Sequence, residues 1–243
     1  VPSMLSQGLL RMYCTKFQAL PDLVANTFSE ERPRLLSLRV DEPGGCPEQD
    51  AYLDLAARMG ATRKEGKAAW KAAARAQREH EDKLARAQAE LVASQAKLPA
   101  AARPLTILVA SHPYVLHDAF VGGPVIDTLR ELGATVLFAD ETDRARAYKE
   151  SLRFSQTMPW AVNREVVGSI LLLHEHVDGI VLMSAFPCGP DSMTDDAVSR
   201  CIHGKPLLTL TVDAQSGTAG LETRIESFVD ILSYQRKGGY LHE

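Results

Sequence analysis

The sequence predicts an α/β fold: a parallel sheet flanked by helices, doubly wound and flavodoxin-like over a C-terminal lobe, preceded by a long helical connector and a partial N-terminal lobe. Three observations carry this reading. From Leu105 onward, short apolar runs alternate with longer amphipathic stretches, the pattern of strands buried on both faces by helices. Residues 54–97 are rich in Ala, Lys, Arg, Glu and Gln and lack proline, a composition that favours continuous helix. Two prolines among alanines at 98–104 mark a boundary between these blocks, because proline interrupts regular hydrogen bonding.

The elements follow in order. Residues 21–28 read as a short helix with Pro21 in its first turn, and 34–40 as a strand, after which Pro43, Gly44 and Gly45 end the unit. The stretch 54–97 is one long helix or a pair broken near Gly60. Trp70, Leu84 and Leu91 stand multiples of seven apart and form a narrow apolar seam, either of a connector arm or of a partner-binding coiled coil. The predicted domains are therefore 1–99 and 100–243. Strands are expected at 105–110, 135–138, 179–183 and 207–212. Helices are expected at 125–132, closed by Gly133 in the left-handed conformation, at 163–174 with Val166, Val167, Ile170 and Leu171 on one face, and at 221–232 with Ile225, Phe228, Val229 and Leu232.

Composition excludes some functions. The chain of 243 residues is 45% hydrophobic, enough for a substantial core, and its 27 basic and 31 acidic residues give a net charge of -4. No basic face is implied that would neutralise many phosphates, which argues against nucleic acid as a partner. No apolar run approaches the roughly 20 residues needed to span a bilayer, and no secretory signal opens the chain, so a cytoplasmic protein without a membrane partner is expected. Val1 in place of Met points to a fragment. The four cysteines at 14, 46, 188 and 201 form no CxxC pair, so neither a zinc ribbon nor a disulfide framework is signalled. Each is by default a small buried thiol.

In a doubly wound sheet, ligands collect beyond the carboxyl ends of the strands. The first expected strand runs into Ser111-His112-Pro113-Tyr114 with Asp118 behind it, the second into Asp140-Glu141, the third into Ser184 to Asp191, and the fourth into Asp213. Cys188 stands between two prolines and beside Gly189, where a stiff backbone can hold a thiolate against a bulky ligand. A helix beginning near Asp195 would aim N–H groups at the same edge. The alternative for Cys188 is a structural turn. His112 is a proton donor, a hydrogen-bond partner or a plain turn residue before Pro113. Cys14, in Arg11-Met12-Tyr13-Cys14-Thr15-Lys16, lies in a polar loop with cations on either side. Cys46 reads as part of a helix-entry turn and Cys201 as a structural thiol at a helix end. No phosphate-cradling or nucleophile-elbow motif occurs, and Gly217 to Gly220 is a small loop before a helix.

Several motifs in order resemble one family. They are His112-Pro113-Tyr114 with Asp118, Leu129 to Gly133, Met158-Pro159-Trp160, Phe186 to Asp191, and Val212-Asp213 running to the stretch 220–230. Together they look like the 2-hydroxyacyl-CoA dehydratase D-component family, and in particular the dehydratase-like region of activase-related proteins (CoA-substrate-specific enzyme activases). Tyr13-Cys14 with Gln18, Leu20, Pro21 and Asp22 is similar to a second cysteine motif of that family, with Thr15 where a proline is usual.

The resemblance implies a 4Fe–4S cluster held by cysteines from separated segments. The cluster takes an electron from an ATP-driven activase and passes it to a 2-hydroxyacyl-CoA thioester, making a ketyl radical from which water leaves. Cys14 and Cys188 would be two of three protein ligands. The earliest cysteine motif has no match, so the cluster is expected in the complete protein and absent or incomplete in this chain. The implied partners are an ATP-dependent activase, on the same parent chain or separate, and an acyl-CoA, with a homo- or hetero-dimer as a further implication. His112 and Asp191 are the catalytic candidates. Tyr114, Asp118, Asp213, Arg224 and Glu226 are substrate-side or structural candidates, and for Asp191, Asp213, Glu222, Arg224 and Glu226 a structural ion-pair network is the alternative. Two further readings stand beside this one: a non-catalytic scaffold or regulatory domain that docks the activase, and a metal-free α/β domain binding a small ligand.

Overall fold

The structure, a computed structural model, describes residues 1–8, 10–99, 102–186, 188–213, 215 and 217–238. It divides into two compact units, Val1–Asp82 with Thr157–Val162, and Lys83–Gln156 with Asn163–Glu243. Of the expected boundary stretch 98–104, Ala100 and Ala101 lie outside the described residues.

In the first unit, β1 (Pro2–Ser6) runs parallel to β2 (Leu38–Asp41), with Met4 opposite Val40. β1 is not among the expected strands, and β2 shares Leu38 to Val40 with the strand expected at 34–40. The stretch expected as strand from residue 34 begins instead as the end of a 3₁₀ turn, Ser29–Arg34, and the strand starts only at Leu38. Pro33 inside that turn cannot donate a ladder hydrogen bond, which moves the pairing downstream. α1 (Thr15–Gln18) and α2 (Leu20–Thr27) lie between the strands in sequence, and α3 (Glu48–Arg58) packs Ala51 and Leu55 against Leu38 and Val40. The segment 157–162 closes on the N-terminal part of this unit: Met12 N–H donates to the Pro159 carbonyl at 2.8 Å and Ala161 N–H to the Met12 carbonyl at 2.9 Å.

The helical connector is a pair, as its composition allows, with α3 ending before Gly60, at φ +87°, and α4 (Arg63–Ala96) following. Thr62-Arg63-Lys64-Glu65 forms a reciprocal capping box. Thr62 N–H donates to the Glu65 carboxylate at 2.8 Å and Glu65 N–H to the Thr62 hydroxyl at 3.3 Å. The Thr62 hydrogen bonds hold the Glu65 carboxyl below its ordinary pKa. Trp70 stacks on Tyr52 at 5.3 Å between centroids.

The second unit is built on four strands that are parallel throughout and ordered β4-β3-β5-β6: β3 (Thr106–Ala110), β4 (Thr135–Phe138), β5 (Gly179–Ala185) and β6 (Leu207–Val212). This is the flavodoxin-like order. Ile107, Val109, Val181 and Met183 pack in one core cluster with residues of α6 (Gly123–Glu131) and α10 (Thr218–Arg236). The alternate residues Leu108, Leu137, Ile180 and Leu182 are equally buried, so β3, β4 and β5 are covered on both faces, whereas the edge strand β6, expected to be buried likewise, leaves Thr209 and Thr211 exposed. Between the strands run α5 (Pro113–Leu116), α7 (Arg144–Phe154), α8 (Ala161–Leu173) and α9 (Gly189–Cys201). Gly133 closes α6 at φ +81°. No helix of the described residues is long and apolar enough to cross a membrane.

Candidate functional site

The strand order of the second unit reverses at β3, which has β4 on one side and β5 on the other. The crevice beyond the carboxyl ends of β3 and β5 is therefore its topological switch point. Both strands deliver polar side chains there. β3 leads through Ser111 into His112, which caps α5 with its backbone while its side chain takes no part in the cap. β5 leads into Cys188, the N-cap residue of α9; Pro187, one of its two flanking prolines, lies outside the described residues.

The helix after β5 corrects one expectation. α9 starts at Gly189 rather than near Asp195. Pro190, in the first turn, presets a helical φ, so Gly189-Pro190-Asp191 opens the helix instead of forming a separate turn. Cys188, Asp191 and Asp195 then stand at i, i+3 and i+7, on one face of α9.

That face meets His112. His112 Nδ1 lies 2.8 Å from Asp191 Oδ1 and 2.9 Å from Oδ2, and Asn163 Nδ2, from α8, donates to Asp191 Oδ1 at 2.8 Å. His112 and Asp191 are each 5% exposed and Cys188 8%. A ring nitrogen of His112, the Cys188 sulfur and an Asp191 carboxylate oxygen lie within 4.8 Å of one another. An ionised Asp191 accepts from Nδ1–H of His112 whether the ring is neutral or charged, and only a neutral ring carries a lone pair on Nε2. Asp195 extends the cluster. Burial raises its pKa to about 7, with the neighbouring Asp191 charge acting in the same direction, while a hydrogen bond from Ser184 and the charge of His112 oppose the rise. Ser111 is also buried, and its hydroxyl has no hydrogen-bond partner among the described residues.

Other expected residues have local roles. The Tyr114 ring lies 5.4 Å from that of His112 and is about half exposed. Asp118 accepts from Phe120 N–H and Val121 N–H and organises the loop before α6. Asp140, after β4, bonds His117 Nε2 at 2.6 Å. Asp213 accepts from Gln215 N–H at 2.7 Å. Arg224 donates to the Thr209 carbonyl on β6 at 2.6 Å, and Glu222 and Glu226 are exposed on α10. The expected small loop at 217–220 is instead the start of α10, with Gly217 as its N-cap.

All four cysteines are thiols. Cys14, half-buried in the first unit, is the N-cap residue of α1. Cys46 donates to the Arg39 carbonyl at 3.1 Å and packs against the small core of Leu38 and Val40, a structural role. Cys201 is exposed at the far end of α9, about 20 Å along the helix axis from Cys188 at 1.5 Å per residue. Cys201 therefore cannot share a centre with Cys188. The described residues that meet at the switch point are one thiol, one imidazole and one carboxylate, a mixed sulfur, nitrogen and oxygen donor set. The helix N-terminus at Cys188 favours the thiolate.

Asn163 and Asp195 are the site residues that sequence reading passed over. The Cys-x-x-Asp-x-x-x-Asp spacing of 188, 191 and 195 carries a helical-face signal once α9 is known to begin at Gly189. Asn163 carries none, because only the fold brings α8 to this edge.

The model of a family described as CoA enzyme activase uncharacterised domain (DUF2229) matches residues 1–141. The match includes Cys14 and His112 and ends before Asn163, Cys188 and Asp191. No curated protein matches the chain.

Proposed function

From the fact that this chain belongs to the CoA enzyme activase uncharacterised domain family, we propose that it is the iron–sulfur, dehydratase-like module of an activase-related protein. It accepts electrons from an ATP-dependent activase and acts on or beside an acyl-CoA. Cys188 and, by the motif around it, Cys14 supply thiolates to a 4Fe–4S cluster. The observation that carries this reading is Cys188 itself, a buried thiol capping a helix at the switch point of a parallel sheet, next to a carboxylate-bound imidazole. A purely structural thiol has no need of that polar company, since a buried Cys packs well among aliphatic side chains.

The residues around the thiol have definable tasks. The first turn of α9 directs N–H groups toward Cys188 and lowers the cost of its negative charge. Asp191, tied to Asn163, keeps the imidazole in one tautomer. Asp195, with its pKa near neutrality, holds or yields a proton beside the site without a large change of driving force. When bound, the cluster supplies single electrons at low potential and an iron open to a further ligand.

Anaerobic reconstitution with iron and sulfide tests the reading, with iron and acid-labile sulfide counted and the reduced protein examined by EPR. The expected result is an oxygen-labile cluster in the complete activase-related protein, incomplete or absent in this chain by itself, that Cys188→Ala abolishes and Cys14→Ala weakens or abolishes. Retention of iron and sulfide no better than in a cysteine-free control would favour the non-catalytic scaffold instead. A thermal shift with CoA thioesters in iron-free protein would favour the metal-free binding domain.

A further inference from the structure

We propose that Cys188, His112 and Asp191 of this chain bind a single divalent ion, zinc by their donor chemistry, through the thiolate sulfur, one ring nitrogen and one carboxylate oxygen. The site goes beyond the cluster reading and does not rest on it. A cluster in the complete protein and a lone ion in this chain by itself are separate loadings of one thiol.

The spacing of the donors carries the argument. A zinc ion holds sulfur at about 2.3 Å and nitrogen or oxygen at about 2.0–2.2 Å, so two ligands of one tetrahedral ion stand about 3.3–3.7 Å apart. A ring nitrogen of His112, the Cys188 sulfur and an Asp191 oxygen already lie within 4.8 Å of one another. That span suits one ion and is too short for a multi-iron core, whose ligands sit on different metal atoms. His112 Nδ1 and Asp191 Oδ1, 2.8 Å apart, are drawn together by their hydrogen bond, and a shift of about half an ångström opens such a pair to tetrahedral spacing. All three residues, with Asn163, belong to the second unit, so the donor set is complete within it.

Donor type and charge agree with the spacing. A thiolate, an imidazole and a carboxylate suit zinc, whereas calcium and magnesium take oxygen throughout. Three protein donors leave a fourth position for water or substrate, as catalytic zinc sites do. His112 and Asp191 are 5% exposed and Cys188 8%, and a buried carboxylate is costly unless it is paired. Asp195 brings a second carboxyl to the same face of α9, where the Asp191 charge acts on it and the opposing charge is that of His112. One imidazole leaves two carboxyls and a thiol short of positive charge, and a divalent cation supplies it. Asn163 Nδ2 holds Asp191 at 2.8 Å, the outer bond that steadies a ligating carboxylate. On binding, the Cys188 thiol releases its proton to solvent and the imidazole binds as a neutral ring, with no change of oxidation state.

The same three side chains also make up a nucleophilic thiol with its base and orienting acid. Metal binding separates the two. Metal-free chain is titrated with Co²⁺ and then with Zn²⁺. We expect one Co²⁺ per chain, with a thiolate-to-cobalt charge-transfer band in the near ultraviolet and the strong visible absorption of four-coordinate cobalt, both bleached as Zn²⁺ displaces it. Asn163→Ala should weaken Zn²⁺ binding about 10–100-fold, the usual loss for an outer partner, and His112→Gln and Asp191→Asn should weaken it further. A chain carrying Cys14→Ser, Cys46→Ser and Cys201→Ser together leaves Cys188 and its neighbours untouched and should keep the band, so the test stands even where Cys188→Ser fails to fold. Absence of the sulfur-to-cobalt band in the unaltered chain, its loss in the triple variant or its survival in Cys188→Ser overturns the proposal. In the unaltered chain, bound Zn²⁺ should slow iodoacetamide alkylation of Cys188 and leave the other three thiols as they were. Rapid, His112-dependent alkylation of Cys188 that Zn²⁺ does not slow would identify the nucleophile instead. None of these outcomes bears on the cluster of the complete protein, which is read from its iron and sulfide.

Discussion

Asn163 and Asp191 are 28 positions apart and share a buried hydrogen bond of 2.8 Å, so a side chain of α8 fixes the carboxylate that α9 presents to His112. The bond ties two helices to one polar cluster at the sheet edge. It also sets how rigidly the imidazole is held.

Removing the amide should therefore cost stability as well as order. Asn163→Ala leaves a 5%-exposed carboxylate with one donor fewer, and losing a hydrogen bond to a buried charged group costs about 1.5–3 kcal/mol. Urea unfolding should show the midpoint shifted by that amount at unchanged slope. Asn163→Asp should cost more, because it places a second carboxylate against the first. An Asn163→Ala chain as stable as the parent would mean that water replaces the amide without loss.

Asp195 gives a pH signature of known sign. Its pKa is raised to about 7 in the folded protein from 3.8, so the folded state holds a proton that the unfolded chain has already released over this interval. The stabilisation is complete below about pH 4, falls as pH rises toward 7, and changes no further above it. Asp195→Asn, which cannot ionise, should flatten that decline. Melting temperatures from pH 4 to pH 8 would reveal it as a gap between variant and parent that widens in the variant's favour with pH. Parallel curves would show that Asp195 titrates near its ordinary value.

Much of this arrangement is legible in the chain itself. Leu105 to Ala110 is an almost unbroken apolar run because β3 is buried on both faces, and such runs announce themselves; Leu207 to Val212, on the edge strand β6, alternates exposed Thr209 and Thr211 with buried Leu210 and Val212. Gly60 and Gly133 mark helix ends through backbone conformations that other residues resist. β1 is not legible, since Pro2-Ser3-Met4-Leu5-Ser6 has no β-branched residue and owes its strand conformation to pairing with β2. Gly168, an ordinary residue by pattern, is required by packing, because a Cβ there would collide with the Ala147 carbonyl of α7. Cys188 and His112 are visible as residues at strand ends. Their coupling through Asp191 and Asn163 depends on where α8 and α9 pack, and no local pattern encodes that.

Thiol accessibility should order the cysteines. Cys201 is exposed, Cys14 and Cys46 are half-buried, and Cys188 is buried. Under brief iodoacetamide treatment of metal-free native protein, peptide mass spectrometry should find Cys201 modified first and Cys188 last, with all four reacting alike in denaturant. Cys188 reacting ahead of Cys201 would require an activated thiolate.

Gln88 of α4 supports the last prediction. β4 is an edge strand of the second unit's sheet, and an edge leaves backbone groups without a neighbouring strand. The Gln88 side chain takes that neighbour's place: its Nε2 donates to the Phe138 carbonyl at 2.9 Å and its Oε1 accepts from Phe138 N–H at 2.7 Å. At 4% exposure, Gln88 is a buried polar residue on a helix that is mostly solvated. Gln88→Ala removes both bonds at once and leaves a backbone donor and acceptor short of partners, at a cost of about 1–3 kcal/mol for each group left unsatisfied. Gln88→Glu keeps the acceptor and loses the donor, so it should fall between parent and alanine unless the buried charge adds its own penalty. Hydrogen exchange at Phe138 separates this local role from a general loss of stability. Its amide should lose protection in Gln88→Ala by more than the amides of the central strand β3, whereas equal loss at both would mean that Gln88 supports the fold without protecting the edge.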